Sequence, residues 1–62
     1  MADELFTLGK SYDNLIYLEE RARREWAAIE AAPSAAVASA HRLLAIQYEA
    51  DARDLRRQLS RG

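Results

Sequence analysis

The chain has 62 residues, of which 50% are hydrophobic and none is cysteine, so it suffices for one domain and cannot form disulfides or thiolate metal sites. A domain this small buries only about 60% of the surface that its unfolded chain exposes, and the remaining way to bury more is oligomerisation. Nine Lys and Arg residues against ten Asp and Glu leave a net charge of −1, which argues against a protein whose main task is to bind a polyanion.

The first predicted element is a helix over residues 3–31. Good helix formers predominate from Asp3, an N-cap residue type, to Ala31. Gly9 weakens the prediction near its start, because an interior glycine costs about 1 kcal/mol relative to alanine. Apolar residues recur in this helix at spacings of three, four or seven and predict a buried stripe of Leu8, Tyr12, Leu15, Ala22, Trp26 and Ile29.

A turn over residues 32–34 and a second helix over about residues 35–60 follow. Pro33 disfavours the helical conformation of the residue before it, so the first helix ends there and Ser34 is expected to cap the next one. Nothing interrupts the second helix, whose last turns are rich in arginine, as the helix dipole prefers. Its apolar stripe consists of Val37, Leu44, Tyr48, Leu55 and Leu59.

So short a turn predicts an all-α antiparallel helical hairpin over residues 1–62, a single domain. The two stripes then pack against each other as one seam, and residues whose numbers sum to about 66 lie at the same level. On this register Ala22 opposes Leu44, and a small residue against a large one suits close packing.

Apolar residues also lie outside the predicted seam. Two helices cannot cover them, whereas four helices pack around a shared core, so we expect two hairpins to dimerise into a four-helix bundle. The alternative is that this surplus apolar surface docks a different protein, as in helix-in-groove recognition. In either case the predicted dimer or partner interface is Leu5, Phe6, Ile16, Leu43, Ile46 and Ala50.

Polar groups on or near the stripes raise the question of a metal or catalytic site. Glu19 and Asp51 are carboxylates on inner faces, and a buried carboxylate is costly unless it is paired. The carboxylate-bridged metal bundles need a Glu-x-x-His motif, and the only histidine, His41, lacks a glutamate three residues before it. We therefore expect no metal site, no cofactor and no enzymatic activity.

Structural roles are expected for these three residues instead. Glu19 should accept a hydrogen bond from Tyr48 or pair with Arg23 one turn on. His41 should pack beside Trp26. Asp51 has no basic residue three or four positions away, so a solvated edge position is expected for it.

Clusters of arginine give an alternative function, that of an RNA- or DNA-associated regulator. Arginines of the first helix lie at the same level of the hairpin as arginines of the second, and dimerisation would double the number of these clusters. Acidic residues are interleaved with these arginines at spacings typical of solvated helix faces, so nucleic acid is the less favoured partner. The arginines that would contact a polyanion are Arg21, Arg24, Arg42, Arg56 and Arg57.

No apolar run approaches the roughly 20 residues that span a bilayer, and the acidic start of the chain is unlike a signal peptide, so no membrane partner is expected. We expect a cytoplasmic protein, and the abundance of alanine and arginine is typical of bacterial proteins. In length and layout the hairpin resembles the small RNA-binding proteins that control plasmid copy number, although no residue motif is shared with them. The sequence favours a non-enzymatic protein-interaction module that acts as a homodimeric scaffold, adaptor or regulator.

Overall fold

The computed structural model is a hairpin of two antiparallel helices. It describes the backbone of residues 2–60 and the side chains of residues 12–60. Helix α1 spans Ala2–Ala31 and helix α2 spans Ala35–Ser60, and this part of the chain contains no strand. The predicted all-α hairpin is confirmed, with both helices bounded within one residue of the expected positions.

Hydrogen bonds at the turn fix the end of one helix and the start of the next. The Ala32 amide donates to the carbonyl of Ile29 at 3.2 Å, which tightens the last turn of α1. The Ser34 hydroxyl accepts a hydrogen bond from the Val37 amide at 3.2 Å, and its carbonyl accepts one from the Ala38 amide at 3.0 Å. Ser34 is therefore the N-cap of α2, as predicted.

The most deeply buried hydrophobic residues of the seam, meaning the line of contact between α1 and α2, are alanines, and we call it the alanine seam. The buried hydrophobic residues of the described part are Ala22, Ala45 and Ala52, at 5%, 0% and 6% exposure. No large side chain among residues 12–60 is fully buried. Methyl side chains let two helix backbones approach closely, because the distance between helix axes depends on the side chains at the contact.

The residues predicted for the seam divide into three groups in the structure. Those that are buried or half-buried are Leu15, Ala22, Ile29, Tyr48, Leu55 and Leu59. Those that are exposed are Tyr12, Trp26, Val37 and Leu44. Leu8 lies outside the described side chains. Both helices are thus rotated relative to the orientation that their apolar stripes alone would give.

The exposure of Leu44 shows the reason for this rotation. Ala45, the next residue, takes the buried place in α2, so Leu44 does not fill the place opposite Ala22 that was expected for it. A periodicity of large apolar residues locates the most hydrophobic strip of a helix, whereas the closest approach of two helices selects the smallest residues.

The hairpin is a thin plate with two broad sides. Its Cα atoms extend over 49 × 19 × 13 Å. Each broad side displays one flank of α1 and one flank of α2, separated by the alanine seam. Neither helix, over the residues described, has the length and apolar character needed to cross a membrane.

Candidate interaction surfaces

One broad side of the hairpin holds a polar cluster of Arg21, Glu25, His41 and Tyr48, and we call it the His41 side. Glu25 is only 5% exposed. Its carboxylate accepts a hydrogen bond from Nη2 of Arg21 at 2.9 Å and lies 2.6 Å from Nδ1 of His41. A carboxylate this buried needs charged or hydrogen-bonding partners, and these two side chains supply them from both helices.

Arg21 extends the cluster to an aromatic ring. Its guanidinium carbon lies 5.6 Å from the centroid of the Tyr48 ring, within the range of a cation–π contact. Tyr48, through hydrogen bonding and then through charge, raises the pKa of Arg21 above its ordinary value, and Glu25 adds to this effect against the opposing effect of burial. The guanidinium is therefore a permanent positive charge beside the Glu25 carboxylate.

The opposite broad side, called the Trp26 side, is dominated by charged residues. Successive residues of a helix turn by about 100°, so Glu25 and Trp26 leave α1 on different sides of the seam. The Trp26 indole donates a hydrogen bond from Nε1 to Oε2 of Glu49 at 2.8 Å. A shallow groove on this side is lined by Glu19, Ala22, Arg23, Trp26, Glu49, Ala52, Arg53 and Arg56.

Two carboxylates singled out in the sequence are placed as follows. Glu19 forms an ion pair with Arg56 across the hairpin, instead of contacting either partner expected for it. Asp51 is exposed, as expected, and accepts a hydrogen bond from Nε2 of Gln47 at 3.0 Å. Neither carboxylate is in the buried cluster of the His41 side.

His41 was expected beside Trp26, and the structure places it against Glu25 instead. The sequence contained a signal for this contact, because the two residue numbers sum to 66, the value expected for residues at one level of the hairpin. What the sequence did not give was the rotation of α1, which decides whether Glu25 or Trp26 faces the imidazole.

Large apolar side chains are exposed on several parts of the surface. Within residues 12–60, those between 38% and 69% exposed are Tyr12, Ile16, Tyr17, Trp26, Val37, Leu43, Leu44 and Ile46. Of the predicted dimer or partner interface, Ile16, Leu43 and Ile46 are in this group and Ala50 is half-buried. Leu5 and Phe6 lie outside the described side chains.

Ion pairs occupy most of the arginines predicted as polyanion contacts. Each of these pairs joins an arginine to a carboxylate of the same chain, and they are Arg21–Glu25, Arg24–Glu20, Arg56–Glu19 and Arg57–Asp54. Arg42 is the remaining member, and among the described side chains it forms no ion pair. A phosphate would have to compete with these carboxylates for each of the paired guanidinium groups.

Neither a metal-binding group of side chains nor similarity to a known protein assigns a function to these surfaces. No group of three His, Asp or Glu side chains within the described ranges is placed to hold a metal ion. Compared with protein-family models, curated proteins and solved structures, the chain gives no match. The exposed apolar residues and the buried polar cluster are therefore the features from which a function has to be inferred.

Proposed function

We propose that this protein is a small, non-enzymatic interaction module that works as a homodimeric scaffold, adaptor or regulator in the cytoplasm. The supporting observation is an inversion of the usual packing: the buried hydrophobic residues of the described part are alanines, while large apolar side chains are exposed. Burying one Leu or Ile side chain contributes about 1.5–3 kcal/mol relative to leaving it exposed. A single hairpin lacks this stabilisation at its exposed apolar side chains, and a second hairpin would bury them by forming a four-helix bundle.

The outer apolar residues give the dimer a surface for a further protein. Leu43, at 69% exposure, and Ile46 lie on the outer part of α2, away from the alanine seam. Ile16 is exposed on the outer part of α1 and Ala50 is half-buried on α2, whereas Leu5 and Phe6, predicted for the same interface, lie outside the described side chains. An amphipathic helix of a partner protein is the segment that such a surface accommodates.

Protein is a better supported partner than RNA or DNA. The net charge is −1, and within the described side chains most of the candidate phosphate-binding arginines are already paired with carboxylates. Binding driven by phosphate contacts weakens steeply as the salt concentration rises. A mobility assay with mixed nucleic acid at low salt is therefore expected to show no complex, and a salt-sensitive complex would instead favour a nucleic-acid regulator.

Mass and helicity over a wide range of dilution test the proposed homodimer. We expect light scattering after gel filtration to give about 14 kDa, twice the 7.0 kDa of one chain, with a loss of helical circular dichroism only where the dimer dissociates. A mass of one chain at every concentration, with helicity unchanged, would show that the hairpin is stable alone and would rule out self-association.

A further inference from the structure

The α2 stripe, defined as Val37, His41, Leu44, Tyr48, Asp51 and Leu55, has the spacing of a coiled-coil seam. Its members alternate at spacings of four and three residues over the length of the helix. They lie on the His41 side, where Val37 and Leu44 are exposed and Tyr48 and Leu55 are half-buried. The packing of α1 against α2 therefore leaves this stripe incompletely covered.

We propose that a second copy of this chain packs on the His41 side, with the α2 stripes of the two copies in contact and antiparallel. The turn of each hairpin then lies beside the open end of the other. This arrangement rests on the proposed self-association and specifies its face and its direction. It leaves the outer surface with Leu43 and Ile46 free for a different protein.

The composition of the two broad sides favours this face. On the Trp26 side α2 presents Glu49, Arg53 and Arg56 along the groove, so a second copy would have to cover charged residues there. On the His41 side the buried Glu25 carboxylate is already held by Arg21 and His41, and Asp51 is the one acidic residue that α2 adds to the stripe. Burying matched charges costs far less than burying unpaired ones.

The direction follows from what each helix contributes to the His41 side. If the two turns lay together, a two-fold axis along the helices would place the α2 stripe of one copy over α1 of the other. That flank of α1 includes Arg21 and Glu25, so the apolar side chains of the stripe would cover polar ones. A two-fold axis across the helices instead places stripe on stripe and apolar residue on apolar residue.

The two polar members of the stripe select the register. When residue numbers of the two copies sum to about 92, Val37 meets the partner subunit's Leu55 and Leu44 meets the partner subunit's Tyr48. His41 then meets the partner subunit's Asp51. Slipping by one heptad would place Asp51 against Tyr48 in one direction and His41 against Leu44 in the other, so His41 would lose its carboxylate partner in both.

The contacts of His41 suit this pairing. Its Nδ1 atom is taken by Glu25 at 2.6 Å, so Nε2 is the ring nitrogen left to face a carboxylate outside the hairpin, and it donates to that carboxylate when the imidazole is protonated on both nitrogens. The Asp51 side chain is exposed, and its hydrogen bond with Gln47 comes from its own helix. The broad side extends over 49 × 19 Å in its Cα positions, which is of the same order as the roughly 800 Å² per partner that a stable interface buries.

Disulfide trapping tests the face and the direction together, since the chain has no cysteine of its own. Chains with His41→Cys are mixed with chains with Asp51→Cys at a concentration where the unmodified protein is dimeric, and then oxidised. The two cysteines are expected to link the copies, because a disulfide needs Cα atoms roughly 4.4–6.8 Å apart. Either variant alone should remain unlinked, since identical positions would lie about 15 Å apart along the helices.

The matched control replaces His41→Cys with Arg42→Cys in the same mixture. Arg42 is exposed and turns by about 100° from His41 toward the Trp26 side, so its yield of linked dimer should be at least about fivefold lower. A second mixture, Val37→Cys with Leu55→Cys, tests the same register with His41 and Asp51 intact. Circular dichroism of each reduced variant establishes that its helices are formed.

Light-scattering mass of the unmodified protein separates the outcomes. A dimer that gives preferential linkage in both test mixtures supports the antiparallel stripe contact. A dimer in which neither test mixture exceeds the Arg42 control overturns the proposed face and direction, and the proposed homodimer stands. A monomer at all concentrations overturns the proposed homodimer together with its proposed face and direction.

Discussion

At the scale of single residues, Glu25 is the side chain whose environment is most constrained. It is a carboxylate buried beside an alanine seam, and it is bonded to one residue of its own helix and to one residue of the other. Such a group favours one rotation of the two helices, because a rotation that kept Glu25 buried but moved it away from His41 would leave the carboxylate without one of its two partners. It therefore contributes to the choice of one packing arrangement as well as to stability.

Replacing Glu25→Gln is expected to destabilise the fold by about 1–3 kcal/mol, because the amide keeps the shape of the side chain but loses the charge-assisted hydrogen bonds. Urea unfolding followed by circular dichroism at fixed chain concentration measures the change. Glu20→Gln is the matched control, since Glu20 makes an exposed pair with Arg24 one turn on and should cost less than about 0.5 kcal/mol. Equal effects of the two substitutions would show that the buried cluster adds nothing to stability.

At the scale of the elements, the alanine seam determines how closely α1 and α2 approach and which of their flanks are exposed. Ala45 has 0% exposure, so its methyl group is enclosed by neighbouring atoms of the hairpin. A larger side chain there would force the helix axes apart or rotate α2. The seam thus couples the packing within one hairpin to the side chains that are presented to a second one.

Replacing Ala45→Leu should therefore destabilise the protein by about 1–3 kcal/mol, although leucine is nearly as good a helix former as alanine. Thermal unfolding followed by circular dichroism measures the effect. Ala27→Leu introduces the same side chain at an exposed position of α1 and is expected to change stability by no more than about 0.5 kcal/mol. A stabilising effect of Ala45→Leu would mean that the seam contains space that the alanines do not fill.

At the scale of the whole molecule, the hairpin is a plate of 49 × 19 × 13 Å, and none of the large apolar side chains of residues 12–60 is fully buried. A chain of this size is marginal when it folds alone, and the alanine seam buries less apolar area than a seam of leucines would. Where two hairpins associate as proposed, the stability of the protein depends on chain concentration.

We expect the melting temperature to rise with chain concentration. Each tenfold increase favours a dimer over its unfolded chains by about 1.4 kcal/mol, which corresponds to a shift of several degrees for a protein of this size. Thermal unfolding at a series of concentrations provides the measurement. A melting temperature that does not change over a hundredfold range would indicate that one chain unfolds by itself.

The helices and the turn could be predicted from the sequence because their causes are local. Pro33 ends one helix through its effect on the preceding residue, and Ser34 starts the next by bonding an amide three residues on. Neither effect depends on where the other helix lies. The prediction of both helices was accurate to one residue for this reason.

The rotation of the helices could not be predicted in the same way. Val37 and Leu44 belong to the most regular apolar stripe of α2, yet they are exposed because Ala45 and Ala52 occupy the seam. The contact between Glu25 and His41 depends on the same rotation. Hydrophobic periodicity identifies every apolar stripe of a helix, but it does not say which stripe meets the adjacent helix and which meets another chain.

Propensity, capping and a short turn act over a few residues, so the two helices, their bounds and their antiparallel arrangement follow from local sequence. Which residues are buried depends on the packing of the two helices, because the closest approach of two backbones favours alanine over the larger residues that dominate the apolar pattern. The link between the helices through the buried Glu25 carboxylate has the same origin, because the orientation of side chains across the seam depends on the rotation of both helices. The same packing of α1 against α2 leaves the large apolar side chains exposed, and the proposed interaction function rests on that exposure.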